Sequence, residues 1–169
     1  MIRELGDKKP KIVESAFVSE AAYVVGDVEI GENSSIWPGA VLRGDRFRIR
    51  IGSNSSIQDN CVVHAGFSEM AIGNNVIIAH GSMIHCARIG NNVLIGMHVV
   101  LGDQSEIEDD CIIGACSMVK DHSKVPTKSL AVGIPARVVR ALGHRELERI
   151  LDGSRTYVDL AREFKKSGL

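Results

Sequence analysis

Aliphatic residues recur every six positions along most of the chain, and this period is the strongest pattern in the sequence. The repeated positions are Val18, Val24, Ile30, Ile36, Leu42, Ile51, Ile57, Val63, Ile72, Ile78, Ile84, Ile89, Ile95, Leu101, Ile107, Ile113, Val119 and Val125. Two nine-residue steps, at 42–51 and 63–72, and one five-residue step, at 84–89, interrupt it. A six-residue period does not fit a helix, but it fits a short strand followed by a tight turn.

Small and polar residues fill the positions between the aliphatic ones, as in GENSS at 31–35 and GSNSS at 52–56. Such residues are typical of tight turns. If three repeats complete one coil, each aliphatic side chain points inward and stacks on the residue three repeats later. The sequence therefore predicts an all-β solenoid, a left-handed parallel β-helix of hexapeptide repeats with about six coils.

The repeat stops after Val125, where Pro126, Gly133 and Pro135 indicate an exit from the solenoid. Apolar residues then fall close to helical spacing up to Phe164, so we expect a C-terminal amphipathic α-helix that Gly153 weakens or bends by ~1 kcal/mol. The predicted division is a hexapeptide-repeat domain with its N-terminal lead-in at 1–130, followed by an exit segment and helix at 131–169. We expect the helix to pack on the solenoid and cover exposed strands.

Composition narrows the possible partners and compartments. Lys and Arg number 20 against 21 Asp and Glu, a net charge of −1, so we expect no nucleic acid partner. The N-terminus lacks the apolar segment of a signal peptide, and no apolar run approaches the ~18 residues of a membrane span. We therefore expect a cytoplasmic protein without a membrane partner. The four cysteines contain no CxxC pair and are predicted to be small buried apolar residues: Cys61, Cys86, Cys111 and Cys116.

Two of the six histidines share the same place in the repeat. His64 directly follows Val63, and His85 directly follows Ile84, three repeats or one coil later. We therefore expect the two side chains to stack on one face at the ~4.8 Å spacing of neighbouring strands, where both could reach one ion.

A third histidine, His80, lies two residues after Ile78, on the preceding face of the coil. Five residues of nearly extended chain separate it from His85, up to ~16 Å, so we expect it to meet the pair only across a subunit boundary. A homotrimer would then carry three sites at its interfaces. Three imidazoles and one open position are typical of catalytic zinc, although iron suits the same ligands. His98, His122 and His144 are expected to be surface residues.

Four segments resemble the gamma-class carbonic anhydrases, a family of hexapeptide-repeat proteins. They are AVLRGD at 40–45, IQDNCVVH at 57–64, AHGSMIHCARIG at 79–90 and LIGM at 94–97, and the resemblance extends from about Lys9 to Phe164. It implies that His64 and His85 of one subunit and His80 of its neighbour bind zinc, or alternatively iron. The implied reaction is the reversible hydration of CO2 to bicarbonate.

The resemblance also implies roles around the metal. Gln58 would hydrogen-bond the metal-bound water, Arg43 and Asp59 would form a pair that bridges subunits, with Asp45 beside them, and Tyr157 would approach the metal from the C-terminal helix. On chemistry alone, Arg43 could bind bicarbonate while Asp59 holds its guanidinium group, or the two could form an interface salt bridge without a catalytic part. Tyr157 could equally be an ordinary packing residue.

Two departures from the family pattern predict slow turnover. The long acidic loop of the most active members is replaced by AGFSEMA between His64 and Ile72, and Arg46 stands where those members carry a glutamate. An arginine cannot relay protons. The alternatives to a carbonic anhydrase are an acyl-CoA thioesterase-type hydrolase on the same metal site and a non-catalytic metal-binding or assembly protein. A hexapeptide acyltransferase ranks last.

Overall fold

The chain forms a parallel β-solenoid that ends in one α-helix, as a computed structural model of residues 1–85 and 88–168 shows. Most strands are only two residues long, because the chain turns a corner after every repeat. The elements are β1 Ile2–Arg3, β2 Lys11–Ile12, β3 Phe17–Val18, β4 Tyr23–Ile30, β5 Ser35–Ile36, β6 Val41–Ile51, β7 Ser56–Ile57, β8 Val62–His64, β9 Met70–Ile72, β10 Ile77–Ile78, β11 Met83–Ile84, β12 Arg88–Ile89, β13 Leu94–Ile95, β14 Val100–Leu101, β15 Glu106–Ile107, β16 Ile112–Ile113, β17 Met118–Val119, β18 Lys124–Val125, β19 Ser129–Gly133, β20 Ala136–Ala141 and α1 His144–Lys166.

Strand pairing confirms the six-residue period and the stacking of one coil on the next. Each repeated aliphatic residue lies in a strand, and equivalent residues pair in parallel, as in the series Ile57, Ile78, Ile95 and Ile113. Nearly all of these side chains are buried, and Val18 is partly buried against the same core. The chain therefore has the predicted β-helix fold, with a thin core of stacked aliphatic residues.

Two faces of the solenoid position the candidate site. The first, here called the histidine face, consists of the first part of β6 together with β8, β11, β14 and β17. The second, here called the helix face, contains β3, β5, β7 and β10, which α1 contacts.

A ladder of four Asn side chains and one Asp side chain runs along one corner of the solenoid. Its members, listed in order, are Asn33, Asn54, Asn75, Asn92 and Asp110, and all have φ between 55° and 59°. Each asparagine amide donates a hydrogen bond to the side-chain oxygen of the next member, over 2.9–3.3 Å. Asn and Asp tolerate the left-handed conformation better than other non-glycine residues, so they suit this corner.

Helix α1 lies on the helix face through a small aromatic cluster. Phe17 and Trp37 of the solenoid pack against Ala161 and its neighbours, with Phe164 5.1 Å from the Trp37 ring. The helix continues without interruption through Gly153, so this glycine does not end it. A Cβ atom there would lie 2.9 Å from Cδ1 of Ile77, so the glycine allows the helix close to β10.

The cysteine prediction is correct for two residues and wrong for a third. Cys61 and Cys111 are buried, and burial raises the pKa of the Cys61 thiol to about 11. Cys116 is exposed because it occupies a corner position with φ of 58°, where the side chain leaves the core. Cys86 lies outside the described residues. Within the described chain, no helix has the length and apolar character needed to cross a membrane.

Candidate metal centre

His64 and His85 stack on the histidine face, as their place in the repeat predicts. Strands β8 and β11 pair in parallel with Val63 opposite Ile84, so the residue after each falls in the same register. The two imidazole rings lie 5.0 Å apart, with 20° between their planes. Nδ1 of His64 is 3.1 Å from Nε2 of His85.

The other ring nitrogen of each histidine contacts a carboxylate. Nε2 of His64 is 2.9 Å from Oδ1 of Asp45, whose second oxygen accepts from Arg43. Nδ1 of His85 contacts Oδ1 of Asp103, which lies on the following coil. Burial alone would raise the pKa of Asp45, but hydrogen bonds from Arg43 and His64 lower it below its usual value. Asp45 is therefore a carboxylate at neutral pH.

The donor set of this pair fits a metal ion. An ionised carboxylate accepts a hydrogen bond from the N–H of the ring nitrogen that it contacts, so these contacts favour the tautomers with lone pairs on Nδ1 of His64 and Nε2 of His85. Two lone pairs that face each other repel unless a cation lies between them. Two nitrogens on a tetrahedral zinc ion, at Zn–N distances of ~2.0–2.1 Å, are about 3.3 Å apart. The observed 3.1 Å is close to this separation.

Gly66 leaves the space that the His85 ring occupies. A Cβ atom on Gly66 would lie 2.0 Å from Nε2 and 2.4 Å from Cε1 of that ring. The next residue, Phe67, places its ring edge-on to His85 at 6.0 Å although its side chain is 61% exposed. Sequence reasoning missed both residues, because they lie in a loop without the six-residue period. It also missed Asp103, which the register of the following coil could have identified.

His80 lies in a different environment, at the corner between the helix face and the histidine face. Its Nδ1 is 2.9 Å from Oδ2 of Asp59, because Ile57 of β7 pairs with Ile78 of β10. The His80 side chain is 49% exposed. Its ring is therefore accessible from outside the chain.

Tyr157 reaches this corner from helix α1. Its ring is half-buried and lies 6.0 Å from that of Trp37. Burial raises the pKa of Tyr157, the charge of Asp59 raises it further, and a hydrogen bond with the buried Gln58 lowers it. The phenol is therefore protonated at neutral pH and can donate a hydrogen bond.

The predicted site residues divide into two groups on one chain. The pair cluster consists of Arg43, Asp45, His64 and His85. The corner cluster consists of Gln58, Asp59, His80 and Tyr157. Over residues 1–85 and 88–168, no three His, Cys, Asp or Glu side chains form a group that could hold a metal ion. Within the chain, Arg43 contacts Asp45, and the predicted pair of Arg43 and Asp59 across subunits stays a prediction.

Comparison with known proteins places this chain in a family. The model of the bacterial transferase hexapeptide (six repeats) family matches residues 86–121. A probable carbonic anhydrase from Methanocaldococcus jannaschii is 43% identical over 151 residues, 89% of this chain and 95% of that protein. Gamma carbonic anhydrase 2, mitochondrial, from Arabidopsis thaliana is 36% identical over 92% of this chain. This chain belongs to the gamma carbonic anhydrase family. It spans 59% of the length of the Arabidopsis protein.

Other proteins that are similar to this chain carry different names. The carnitine operon protein CaiE from Salmonella agona is 35% identical over 90% of this chain and 77% of its own length. A solved structure of a putative acetyltransferase from Bacillus cereus is 34% identical and superposes with a TM-score of 0.93, over 96% of this chain and 95% of that one. Family membership therefore supports an enzyme of the carbonic anhydrase type. It does not decide the substrate, because relatives of similar identity carry other names.

Proposed function

We propose that this protein catalyses the reversible hydration of CO2 to bicarbonate at a metal ion held by His64, His85 and His80 of a second copy. The observation that carries the proposal is the pair of ring nitrogens that face each other at 3.1 Å on stacked imidazoles. Membership of the gamma carbonic anhydrase family agrees with it.

The need for a second copy follows from the division of the site. The corner cluster and the pair cluster lie on different parts of the chain surface, so one chain offers the third histidine while the next offers the pair. A head-to-tail contact of this kind gives a closed assembly when its rotation closes, and we propose a three-fold ring, which uses every cluster once. Exposed apolar side chains accompany both clusters, with Met83 next to the pair and Met97 one coil beyond His80. This exposure supports an interface between copies.

Three imidazoles and an open position suit Zn²⁺ and also Fe²⁺, and zinc is the first expectation. When bound, such an ion brings the pKa of water near 7 and thereby supplies hydroxide, the nucleophile that CO2 requires. The chain itself holds the ligands: Asp45 accepts from Nε2 of His64 and so directs Nδ1 to the ion. Gln58 and the protonated Tyr157 provide hydrogen-bonding groups near His80, where they can orient the attacking oxygen. Arg43 supplies positive charge for bicarbonate.

Proton release limits the expected rate. The 65–69 loop contains one acid, Glu69, whose charge acts on Arg48. Phe67 stands nearer the pair, with its ring against His85. We therefore expect slow turnover that rises with the concentration of an added buffer that can accept the proton.

Stopped-flow CO2 hydration, on protein prepared without oxygen and with metal counted on the same sample, tests the proposal. Zinc and ferrous reconstitutions run beside the untreated sample. We expect about one metal per chain, activity that follows metal content, and loss of both in His64→Ala. His122→Ala is the matched control, because His122 is exposed at another corner and should keep both properties. A full complement of metal without hydration would contradict the proposal.

Hydrolysis of acyl thioesters is the second candidate, and the similarity to CaiE and to a putative acetyltransferase favours testing it. Metal-dependent release of CoA from a panel of acyl-CoAs, without CO2 hydration, would replace the first proposal by this one. An intact trimer after metal removal, with no turnover in either assay, would instead support a metal-binding or assembly role.

A further inference from the structure

Asp103 lies next to the pair cluster on the coil that follows it. It comes two residues after β14, which pairs with β11 on the histidine face, so the chain brings it beside His85. Its side chain contacts Nδ1 of His85 through Oδ1. Its backbone N–H donates to Oδ1 of Asp121 over 2.9 Å, which fixes the Asp103 backbone to the coil beyond.

The contact with Asp103 selects one tautomer of His85. A neutral imidazole carries its proton on either nitrogen, and an ionised carboxylate can only accept, so Asp103 favours the tautomer with the proton on Nδ1. Nε2 then presents its lone pair toward His64. With the other tautomer, Nε2–H would donate to Nδ1 of His64, which the 3.1 Å separation allows. The pair would then be an ordinary hydrogen bond between two histidines.

Both carboxylates are therefore needed to create two facing lone pairs. Asp45 directs the lone pair of His64, and Asp103 directs that of His85. Gly66 and Phe67 border a small cavity of about 10 Å³ beside His85 and Asp103, with room for about one water molecule.

We propose that Asp103 is a positioning residue that fixes the Nδ1–H tautomer of His85 and thereby makes Nε2 a metal ligand, a role that rests on the metal site proposed above. Asp103 does not touch the metal in this scheme. It acts through His85, as carboxylates behind metal-binding histidines do in general.

Zinc affinity of Asp103→Asn, measured by competition with a chelator, tests the proposal. Asparagine keeps the size of the side chain, but its amide can donate as well as accept, so it no longer selects the tautomer. We expect a 10- to 100-fold weaker affinity, roughly the loss found when such a carboxylate is replaced. Asp109→Asn is the matched control: Asp109 Oδ1 accepts the N–H of Asn91 over 2.7 Å at another corner. It should bind zinc as tightly as the unchanged protein.

Nuclear magnetic resonance of metal-free protein labelled with ¹⁵N-histidine gives a readout that does not depend on activity. We expect the His85 proton on Nδ1 in the unchanged protein and in Asp109→Asn, and a mixture of tautomers in Asp103→Asn. Unchanged zinc affinity together with an unchanged His85 spectrum would overturn the proposal. A tautomer change in a protein that binds no metal even when unsubstituted would support the action of Asp103 on His85 and refute the metal site. Matching thermal unfolding of the two variants confirms that Asp103→Asn is folded.

Discussion

At the scale of single residues, Gly66 shows how closely the backbone approaches the proposed ligands. The glycine does not have a positive φ, so its backbone conformation is open to other residues. What excludes a side chain there is the His85 ring, since a Cβ atom would lie 2.0 Å from Nε2. Gly66 is therefore required by the position of one imidazole nitrogen.

Gly66→Ala should abolish metal binding while leaving the fold intact. The added methyl group must push the His85 ring away from His64, because contacts below 3.0 Å are not tolerated, and the two lone pairs then no longer converge. Replacing a residue that only supports a ligand typically costs about 10- to 100-fold in metal affinity. Because this substitution displaces the ligand itself, we expect zinc affinity to fall at least 100-fold. Chelator competition and thermal unfolding, measured on the same sample, check both parts.

Ser68→Ala is the control for this substitution, because Ser68 belongs to the same loop and borders the same small cavity. It should change neither property. If Gly66→Ala binds zinc as tightly as Ser68→Ala, the nitrogen that faces Gly66 is not a ligand.

The residues of the pair could be predicted from the sequence, whereas the loop residues beside them could not. His64 and His85 follow aliphatic residues that are one coil apart, so their stacking depends only on the period. Gly66 and Phe67 lie in a nine-residue step, where the period fails and side-chain direction depends on contacts across coils. The carboxylate partner of His80 shows the same limit: Asp59 was assigned to Arg43 by resemblance, and within the chain it contacts His80.

At the scale of elements, the corner ladder holds successive coils in register. Asn75 occupies its middle, where Oδ1 accepts from Asn54 over 3.3 Å and Nδ2 donates to Asn92 over 3.0 Å. Its φ of 55° lies in the left-handed region. Two separate properties, hydrogen bonding and tolerance of this conformation, therefore favour asparagine at this corner.

Comparing Asn75→Ala with Asn75→Gly separates these two properties. Both variants lose the ladder hydrogen bonds, which together contribute about 1–2 kcal/mol, but only alanine also incurs the cost of the left-handed conformation. We expect Asn75→Ala to lower the free energy of unfolding by about 2–3 kcal/mol and Asn75→Gly by about 1 kcal/mol less than that. Urea denaturation in the presence of a chelator measures both without a contribution from metal. Equal losses in the two variants would show that the backbone conformation does not matter here.

Elements outside the six-residue period were the part of the fold that the sequence did not reveal. Strands β19 and β20 form an antiparallel hairpin with an irregularity between Leu130 and Ala131, and β19 continues the sheet of the helix face. Gly133 and Pro135 indicate a turn between these two strands, but they do not indicate which strand of the solenoid the hairpin joins. The helix was predictable from its apolar spacing, but Gly153 was not, because its role depends on contact with Ile77 of the solenoid.

At the scale of the whole molecule, the proposed homotrimer makes each chain contribute half of two different sites. The pair cluster needs a histidine from outside, and the corner cluster has one to offer, with Asp59 already holding its Nδ1. In a ring of three copies, each pair cluster would meet the corner cluster of a neighbouring copy. This arrangement means that a defect in one cluster leaves the other cluster of the same chain intact.

Mixed rings therefore test whether the site is shared between copies. His64→Ala keeps an intact His80, and His80→Ala keeps an intact pair, yet each alone should bind no metal because every interface in its ring lacks one ligand. In a mixed ring, whichever variant is present twice, exactly one interface brings an intact His80 to an intact pair. When the variants are dissociated and reassembled at equal amounts, about three quarters of the rings are mixed. We therefore expect about one quarter of the metal bound by the unchanged protein.

Metal content per chain, with ring composition determined by native mass spectrometry, measures this recovery. The same variants mixed without dissociation are the control and should stay free of metal. Recovery in reassembled rings alone requires that the two clusters act from different chains, since no single chain in the mixture carries a complete set of ligands. Mixed rings without metal, beside an unchanged protein that binds it, would mean that His80 and the pair must come from the same chain. If His80 were not a ligand, His80→Ala would bind metal on its own. The mass of the assembly distinguishes the ring from a dimer. An isologous dimer in which each copy offers both clusters would regain metal at one of two sites in half of the assemblies, which is again about one quarter, but its mass would be that of two chains rather than three.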